Sequence, residues 1–192
     1  MTGQVSDLFL LRGEEYAVAG LSAGEPFDPR AVGLTPSMAS TACWRGYQTF
    51  LALADGHLVL DALAVNLVEP DDGHRRIAGP PIDGVSPVEP KDGYLLNNLY
   101  EGLARRLAYT GGMLLARDFI QERYVHMGFQ SPWSYATVLE LLFEDGALVA
   151  EHDRSERMEV LRAAVDAAGP LLDPRDDAQA RALIERSFDR SY

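Results

Sequence analysis

Two long apolar runs in the first half of the chain carry the clearest structural signal. Residues 47–54 and 58–68 flank the pair Asp55-Gly56. An Asp-Gly pair between apolar runs predicts a β-hairpin, because both central positions of a type I′ turn need positive φ. In the second run both alternating faces are largely apolar, which is typical of a strand buried on both sides. The pattern therefore predicts a hairpin whose second strand is central in a sheet.

Further strands are predicted on both sides of this hairpin. Four more segments are apolar and bounded by turn residues: 7–11, 16–21, 107–116 and 124–129. Residues 133–150 form another hairpin, with Asp145-Gly146 at its turn. The pair Gly111-Gly112 interrupts its strand, which indicates a bulge or a close approach to the backbone. These segments predict a mainly antiparallel β core, either a curved sheet or an open barrel.

The last forty residues follow a helical pattern instead. Residues 156–168 place Met158 and Leu161 on one apolar stripe, Ser155 is a candidate N-cap, and Gly169-Pro170 ends the helix. A second helix is predicted over 173–188. We therefore predict an α+β fold with a β-rich core domain in residues 1–153. Residues 154–192 would form a C-terminal helical extension packed on that core.

Two connecting segments are less regular. Residues 69–93 are rich in Asp, Gly and Pro, and a connection of this length inside a domain is usually a functional or a mobile loop. We expect it to pack on the surface, with Ile82 and Val85 fixing its middle to the core. Residues 94–106 have leucines spaced four apart, which suggests one or two helical turns, but Asn97-Asn98 weakens that prediction.

A weak internal repeat relates the two Asp-Gly hairpins. Residues 44–59 and 133–149 share a tryptophan, a tyrosine shortly after it, an apolar strand, Asp-Gly and then Leu-Val. The turns lie about 90 residues apart, which suggests two related halves. The alternative is that hairpins with the same turn chemistry resemble one another without common descent.

Composition and charge narrow the possible functions. The chain has 29 acidic and 17 basic residues and a net charge of −12. This balance argues against binding nucleic acid or an anionic membrane surface. It suits solubility or a basic protein partner. The single cysteine excludes an internal disulfide, and neither a signal peptide nor an apolar run of 18 residues is found. We therefore expect a cytoplasmic protein.

Three short phrases together resemble a known family. They are WRGY at 44–47, YTGGML at 109–114 and YVHMGF at 124–129. In this order they resemble an uncharacterised family of small bacterial proteins, with the similarity covering residues 8–153. Tyr109 stands where the family pattern has Phe, and Trp44 where it often has Tyr. The resemblance implies a β-rich fold and a bacterial origin, and it implies no activity.

Candidate chemistry is sparse. No phosphate-binding glycine loop, dinucleotide fingerprint or nucleophile elbow is present, so no cofactor is predicted, and the histidine and cysteine spacing gives no metal site. His126 lies in a predicted strand, where a histidine hydrogen-bonded within the sheet is the simpler interpretation. The functional interpretation is that Arg45, Tyr47, Tyr109 and His126 converge as a ligand-binding site in the mouth of the curved sheet.

Two functions from different classes therefore remain open. The first is a non-catalytic interaction protein whose acidic surface masks a basic partner, as a toxin-immunity protein does. The second is a small-ligand-binding protein or enzyme with a pocket on the curved sheet. Whether the chain is an enzyme, and its oligomeric state, are not determined by the sequence.

Overall fold

The structure is a computed structural model, and it describes residues 2–73, 75–90, 95–168 and 189–192. Within these residues the chain forms nine strands and one α-helix. The strands are β1 (Leu8–Leu11), β2 (Glu14–Leu21), β3 (Tyr47–Ala54), β4 (His57–Val65), β5 (Asn98–Tyr100), β6 (Arg105–Arg106), β7 (Gly111–Phe119), β8 (Tyr135–Glu144) and β9 (Ala147–Asp153). The helix is α1 (Ser155–Ala168).

Seven of these strands close into a ring. The hydrogen-bonded order is β3-β1-β2-β7-β8-β9-β4, and β4 pairs again with β3. β1 and β3 run parallel, and every other pairing between the named strands of the described residues is antiparallel. The predicted α+β class with a mainly antiparallel sheet is thus supported in its coarse form. The second predicted helix, at 173–188, lies outside the described residues.

The turn chemistry of the sequence explains the hairpins. Asp55 and Gly56 have φ of 50° and 75°, and Asp145 and Gly146 have φ of 45° and 80°. Positive φ at both positions is the type I′ geometry that matches the twist of paired strands. The β1–β2 turn has the same geometry at Arg12-Gly13. These hairpins fix which side chains of each strand face the interior.

The interior of the ring is filled by apolar side chains from its strands. Fully buried members of this core include Phe9, Leu51, Leu60, Met113 and Leu141. Along β7, Met113 and Leu115 belong to this core, whereas the alternating Leu114 and Ala116 face outward and pack with Met158 of α1. The outer face of β7 and β8 is therefore covered in part by the helix.

Several local predictions are confirmed and others are wrong. Ile82 is buried in the core and pairs with Val85, as expected for the middle of the 69–93 connection. In the predicted segment 94–106, the described residues 95–106 contribute β5 and β6 instead of helical turns. Ser155 is the first residue of α1, and its hydroxyl accepts a hydrogen bond from the backbone N–H of Val138 at 3.1 Å.

The segment 124–129 is not a strand. It follows a 3₁₀ turn at Gln121–Arg123 and turns at Gly128, which has a φ of 72°. The Gln130 side chain accepts from the backbone N–H of Val125 at 3.0 Å and donates to its carbonyl at 2.8 Å. The Gln130 side chain therefore satisfies the backbone N–H and carbonyl of Val125, which in a strand would pair with a neighbouring strand.

Candidate functional site

The most buried charge of the described residues is Asp7, which is 1% exposed and lies directly before β1. Its carboxylate accepts from both terminal nitrogens of Arg45 at 3.0 Å, from Arg190 at 2.9 Å and from the backbone N–H of Thr49 at 2.7 Å. Burial raises the pKa of Asp7, but Arg45 and Arg190 together lower it further, so the net pKa lies well below the usual range. Asp7 is ionised at neutral pH.

Glu25 completes the group. It accepts from Arg45 at 3.3 Å and from Arg190 at 2.6 Å, and its side chain is 40% exposed. We call Asp7, Glu25, Arg45 and Arg190 the ion cluster. Its two carboxylates and two guanidiniums balance, so the arginine charges are neutralised inside the protein. The cluster is consequently poorly suited to attract an anionic ligand.

Two aromatic rings lie against the arginines of the ion cluster. The guanidinium carbon of Arg45 is 4.6 Å from the ring centroid of Tyr47 and 5.3 Å from that of Phe129. Arg190 lies over the same Phe129 ring at 4.6 Å. Burial raises the pKa of Tyr47 to about 12, against the opposing effect of Arg45. Tyr47 is therefore a neutral phenol at neutral pH, held by a cation–π contact.

The structure brings two of the four predicted site residues into contact, Arg45 and Tyr47. Tyr109 is buried elsewhere, where its hydroxyl donates to the Gly112 carbonyl at 3.0 Å and its ring meets Phe143 edge to face. His126 is exposed in a bend, 4.8 Å from the Tyr124 ring between centroids. Among the described residues, no hydrogen bond, ion pair or ring contact joins Tyr109 or His126 to Arg45.

An extended N-terminal segment joins two loops beside the ion cluster. Gln4 donates its backbone N–H to the carbonyl of Gly128 at 2.7 Å, and its side chain accepts from the backbone N–H of Trp44 at 3.0 Å. Gly3 donates to the hydroxyl of Tyr124 at 3.2 Å. We call residues 2–5, 40–46 and 124–130 the N-terminal loop cluster. Two of the three phrases that resemble the bacterial family thus lie side by side.

The N-terminal loop cluster presents large apolar side chains to solvent. Trp44 is 45% exposed, Tyr124 40% and Val125 46%. The backbone beneath Trp44 is fixed, because Gly46 has a φ of 73° and a Cβ there would lie 2.1 Å from the Ser37 carbonyl oxygen. These side chains are therefore exposed on an ordered, hydrogen-bonded backbone and not on a frayed segment.

Three members of the ion cluster have no recognisable signal in the sequence. Asp7, Glu25 and Arg190 each stand in an ordinary local context, and 183 positions separate Asp7 from Arg190. Arg190 reaches the cluster because residues 189–192, which we call the C-terminal tail, lie against β2: Leu21 donates to the Arg190 carbonyl at 2.8 Å. Only the three-dimensional structure shows that such isolated charged residues lie together.

Three further results bear on function. No group of histidine, cysteine and acidic side chains suited to a metal ion occurs in the described residues. The α-helix of the described chain has 14 residues and falls short of the length and apolarity needed to cross a membrane. No protein-family model, curated protein or solved structure matches the chain. The resemblance to a bacterial family therefore stays a prediction.

Proposed function

We propose that the protein is a non-catalytic interaction protein that binds a basic protein partner through the N-terminal loop cluster. The observation that carries this proposal is the exposure of Trp44 on a fixed backbone. Tryptophan and tyrosine dominate the energetics of protein interfaces, since each buries a large area at a small cost in side-chain entropy. Tyr124 and Val125 extend the apolar surface on the neighbouring loop.

The charge of the chain supports a basic partner. The ion cluster is balanced, so the net charge of −12 resides on the remainder of the protein. Such a charge accelerates encounter with a basic surface and makes the association rate fall as salt rises. This combination of acidic charge and exposed aromatic side chains suits a protein that masks a basic partner, such as the immunity partner of a toxin.

The chemistry of Asp7 in the ion cluster and of the adjacent Tyr47 supports a binding role over a catalytic one. A general base or acid near neutral pH needs a pKa close to 7. The carboxylate of Asp7 has its pKa held well below the usual range, and burial raises the pKa of Tyr47 to about 12. Both groups are thereby fixed in one protonation state at neutral pH.

Site-specific photocrosslinking tests this proposal. A benzoyl-phenylalanine replaces Trp44 in one variant and Val149 in a second, and both proteins are irradiated in source-cell lysate at low and moderate salt. Val149 is 52% exposed on β9 and serves as the matched control. We expect one basic protein to be cross-linked from position 44, with a yield that falls as salt rises, and not from position 149.

A second comparison separates binding from simple proximity. Purified Trp44→Ser and Val149→Ser variants are tested for binding the captured protein by calorimetry. We expect Trp44→Ser to weaken affinity by about 2 kcal/mol or more, as for a central aromatic anchor, and Val149→Ser to leave affinity unchanged. Equal cross-linking from both positions, or equal affinity of both serine variants, contradicts the proposal.

A further inference from the structure

A cavity lies on the outer face of the sheet, far along the chain from the N-terminal loop cluster. Its volume is about 240 Å³, and it opens between the start of α1 and the C-terminal tail. The residues that line it are Leu114, Glu140, Arg154, Arg157, Met158 and Tyr192. Leu114 faces this cavity because it alternates along β7 with Met113 and Leu115, which fill the interior.

The C-terminal tail forms one wall of the cavity. The ion cluster holds Arg190, which is 6% exposed, and the hydroxyl of Tyr192 donates to the carboxylate of Glu140 at 2.9 Å. Gly112 makes room for this wall, since a Cβ there would lie 2.0 Å from the Tyr192 hydroxyl oxygen. The Tyr192 hydroxyl is thus the group that approaches the backbone at Gly112, one of the two adjacent glycines for which the sequence predicts a bulge or a close approach.

The charged side chains that line the cavity leave one positive group in excess. Glu140 accepts from Arg154 at 2.8 and 2.6 Å as well as from Tyr192. Burial raises the pKa of Glu140, but the hydrogen bonds from Arg154 and Tyr192 lower it further, so it is ionised and its charge is matched by Arg154. Arg157 has no ion pair within the part of the chain that the structure describes, so its charge is available to a ligand.

The floor of the cavity is apolar. Leu114 is 4% exposed and Met158 is 6% exposed, and both belong to the cluster that joins β7, β8 and α1. The volume is below the usual range of about 300–1,000 Å³ for ligand pockets, which limits an occupant to roughly a single ring or a short branched chain. An apolar floor with one cation at the rim fits an amphipathic anion.

We propose that this cavity binds a small monocarboxylate with one aromatic ring or branched apolar chain. The carboxylate pairs with Arg157, and the apolar part rests on Leu114 and Met158. A guanidinium recognises a carboxylate through two parallel hydrogen bonds, which sets the orientation of the ligand. This binding site is separate from the proposed interaction surface and stands whether or not that proposal holds.

The test compares three probes of similar shape and different charge: phenylacetate, phenylacetamide and phenethylamine. Binding to the full chain is measured by calorimetry and by the shift in unfolding temperature. We expect phenylacetate to bind and the two others to bind about tenfold more weakly or not at all. Arg157→Glu, an exposed position on α1, should weaken phenylacetate about tenfold and make phenethylamine the preferred probe.

Arg75→Glu provides the matched control, because Arg75 is an exposed arginine that pairs with Glu69 in a distant loop. We expect this variant to bind phenylacetate as the unsubstituted protein does. The proposal is overturned if phenylacetate fails to bind at millimolar concentration or binds no better than phenylacetamide. It is also overturned if Arg157→Glu and Arg75→Glu change its affinity equally.

Discussion

Asp7 shows how one buried side chain holds distant parts of the chain together. It binds Arg45 of the loop before β3, the backbone of Thr49 in β3 and Arg190 of the C-terminal tail. We predict that Asp7→Asn lowers the free energy of unfolding by about 3 kcal/mol at pH 7, because two buried guanidiniums lose a charged partner. Asp83→Asn removes a half-exposed pair with Arg105 and should cost about 1 kcal/mol or less in the same urea titration.

Acid should reduce the contribution of Asp7. Its folded-state pKa lies below the ordinary value near 4, so its stabilisation is fully present above about pH 4 and is lost as pH falls toward the folded-state pKa. The difference in unfolding free energy between the unsubstituted protein and Asp7→Asn should therefore shrink below pH 4. A constant difference down to pH 2 would contradict the ion pairing described for Asp7.

Alkali should act through Tyr47. Burial raises the pKa of Tyr47 to about 12, whereas an unfolded tyrosine ionises near 10, so stability is full below pH 10 and is lost between pH 10 and 12. Tyr47→Phe keeps the ring beside Arg45 and removes the ionisable group. We predict that the unsubstituted protein loses roughly 2 kcal/mol more than Tyr47→Phe over this range, measured by urea unfolding. An equal loss of unfolding free energy in both proteins would contradict the raised pKa of Tyr47.

Part of the candidate site is predictable from the sequence. Arg45 and Tyr47 were found because they stand in one short aromatic phrase, and the structure places them in contact. Asp7 and Arg190 were missed because isolated charges carry no periodicity. The sequence predicts a strand at His126 because Val125 is β-branched and Tyr124 is aromatic, but the side-chain hydrogen bonds of Gln130 override that local preference.

The two Asp-Gly turns allow a matched test at the level of elements. Gly56 and Gly146 both have positive φ, of 75° and 80°. A Cβ on Gly56 would meet no atom within 4 Å, whereas a Cβ on Gly146 would lie 2.2 Å from the carbonyl oxygen of Leu107. We predict that Gly56→Ala costs about 1 kcal/mol from the left-handed backbone, and that Gly146→Ala costs about 1–3 kcal/mol more from the clash.

Urea unfolding of both alanine variants measures this difference. Equal costs would show that Leu107 moves away without penalty, and a smaller cost for Gly146→Ala would contradict the packing of this turn. The two Asp-Gly pairs predict their hairpins well, because the conformation of a turn depends on only four consecutive residues. β5 and β6 were not predicted, because strands of three and two residues depend on β4 for their existence and leave no local pattern.

The two Asp-Gly hairpins meet where the ring closes. Leu58 donates to the Gly146 carbonyl at 2.8 Å, and Leu148 donates to the Gly56 carbonyl at 2.9 Å. These bonds are reciprocal and follow the internal repeat, and both hairpins have a register shift in the strands. The two hairpins are not equivalent in the strands on their other sides. The first hairpin pairs through β3 with the parallel strand β1, whereas the second pairs through β8 with the antiparallel strand β7. The repeat therefore extends over the hairpins and not over whole halves.

The same bonds identify the place where the ring can be locked. His57 and Ala147 face each other between the two reciprocal hydrogen bonds, so they are a non-hydrogen-bonded antiparallel pair, whose Cα atoms lie about 4.5 Å apart. That spacing suits a disulfide.

We predict that a His57→Cys, Ala147→Cys double variant oxidises readily and is about 2–4 kcal/mol more stable oxidised than reduced, because the bond closes a loop of roughly 90 residues. Peptide mapping should show that buried Cys43 takes no part. A folded double variant in which the 57–147 bond does not form under oxidising conditions would mean that the ring does not close at this pair.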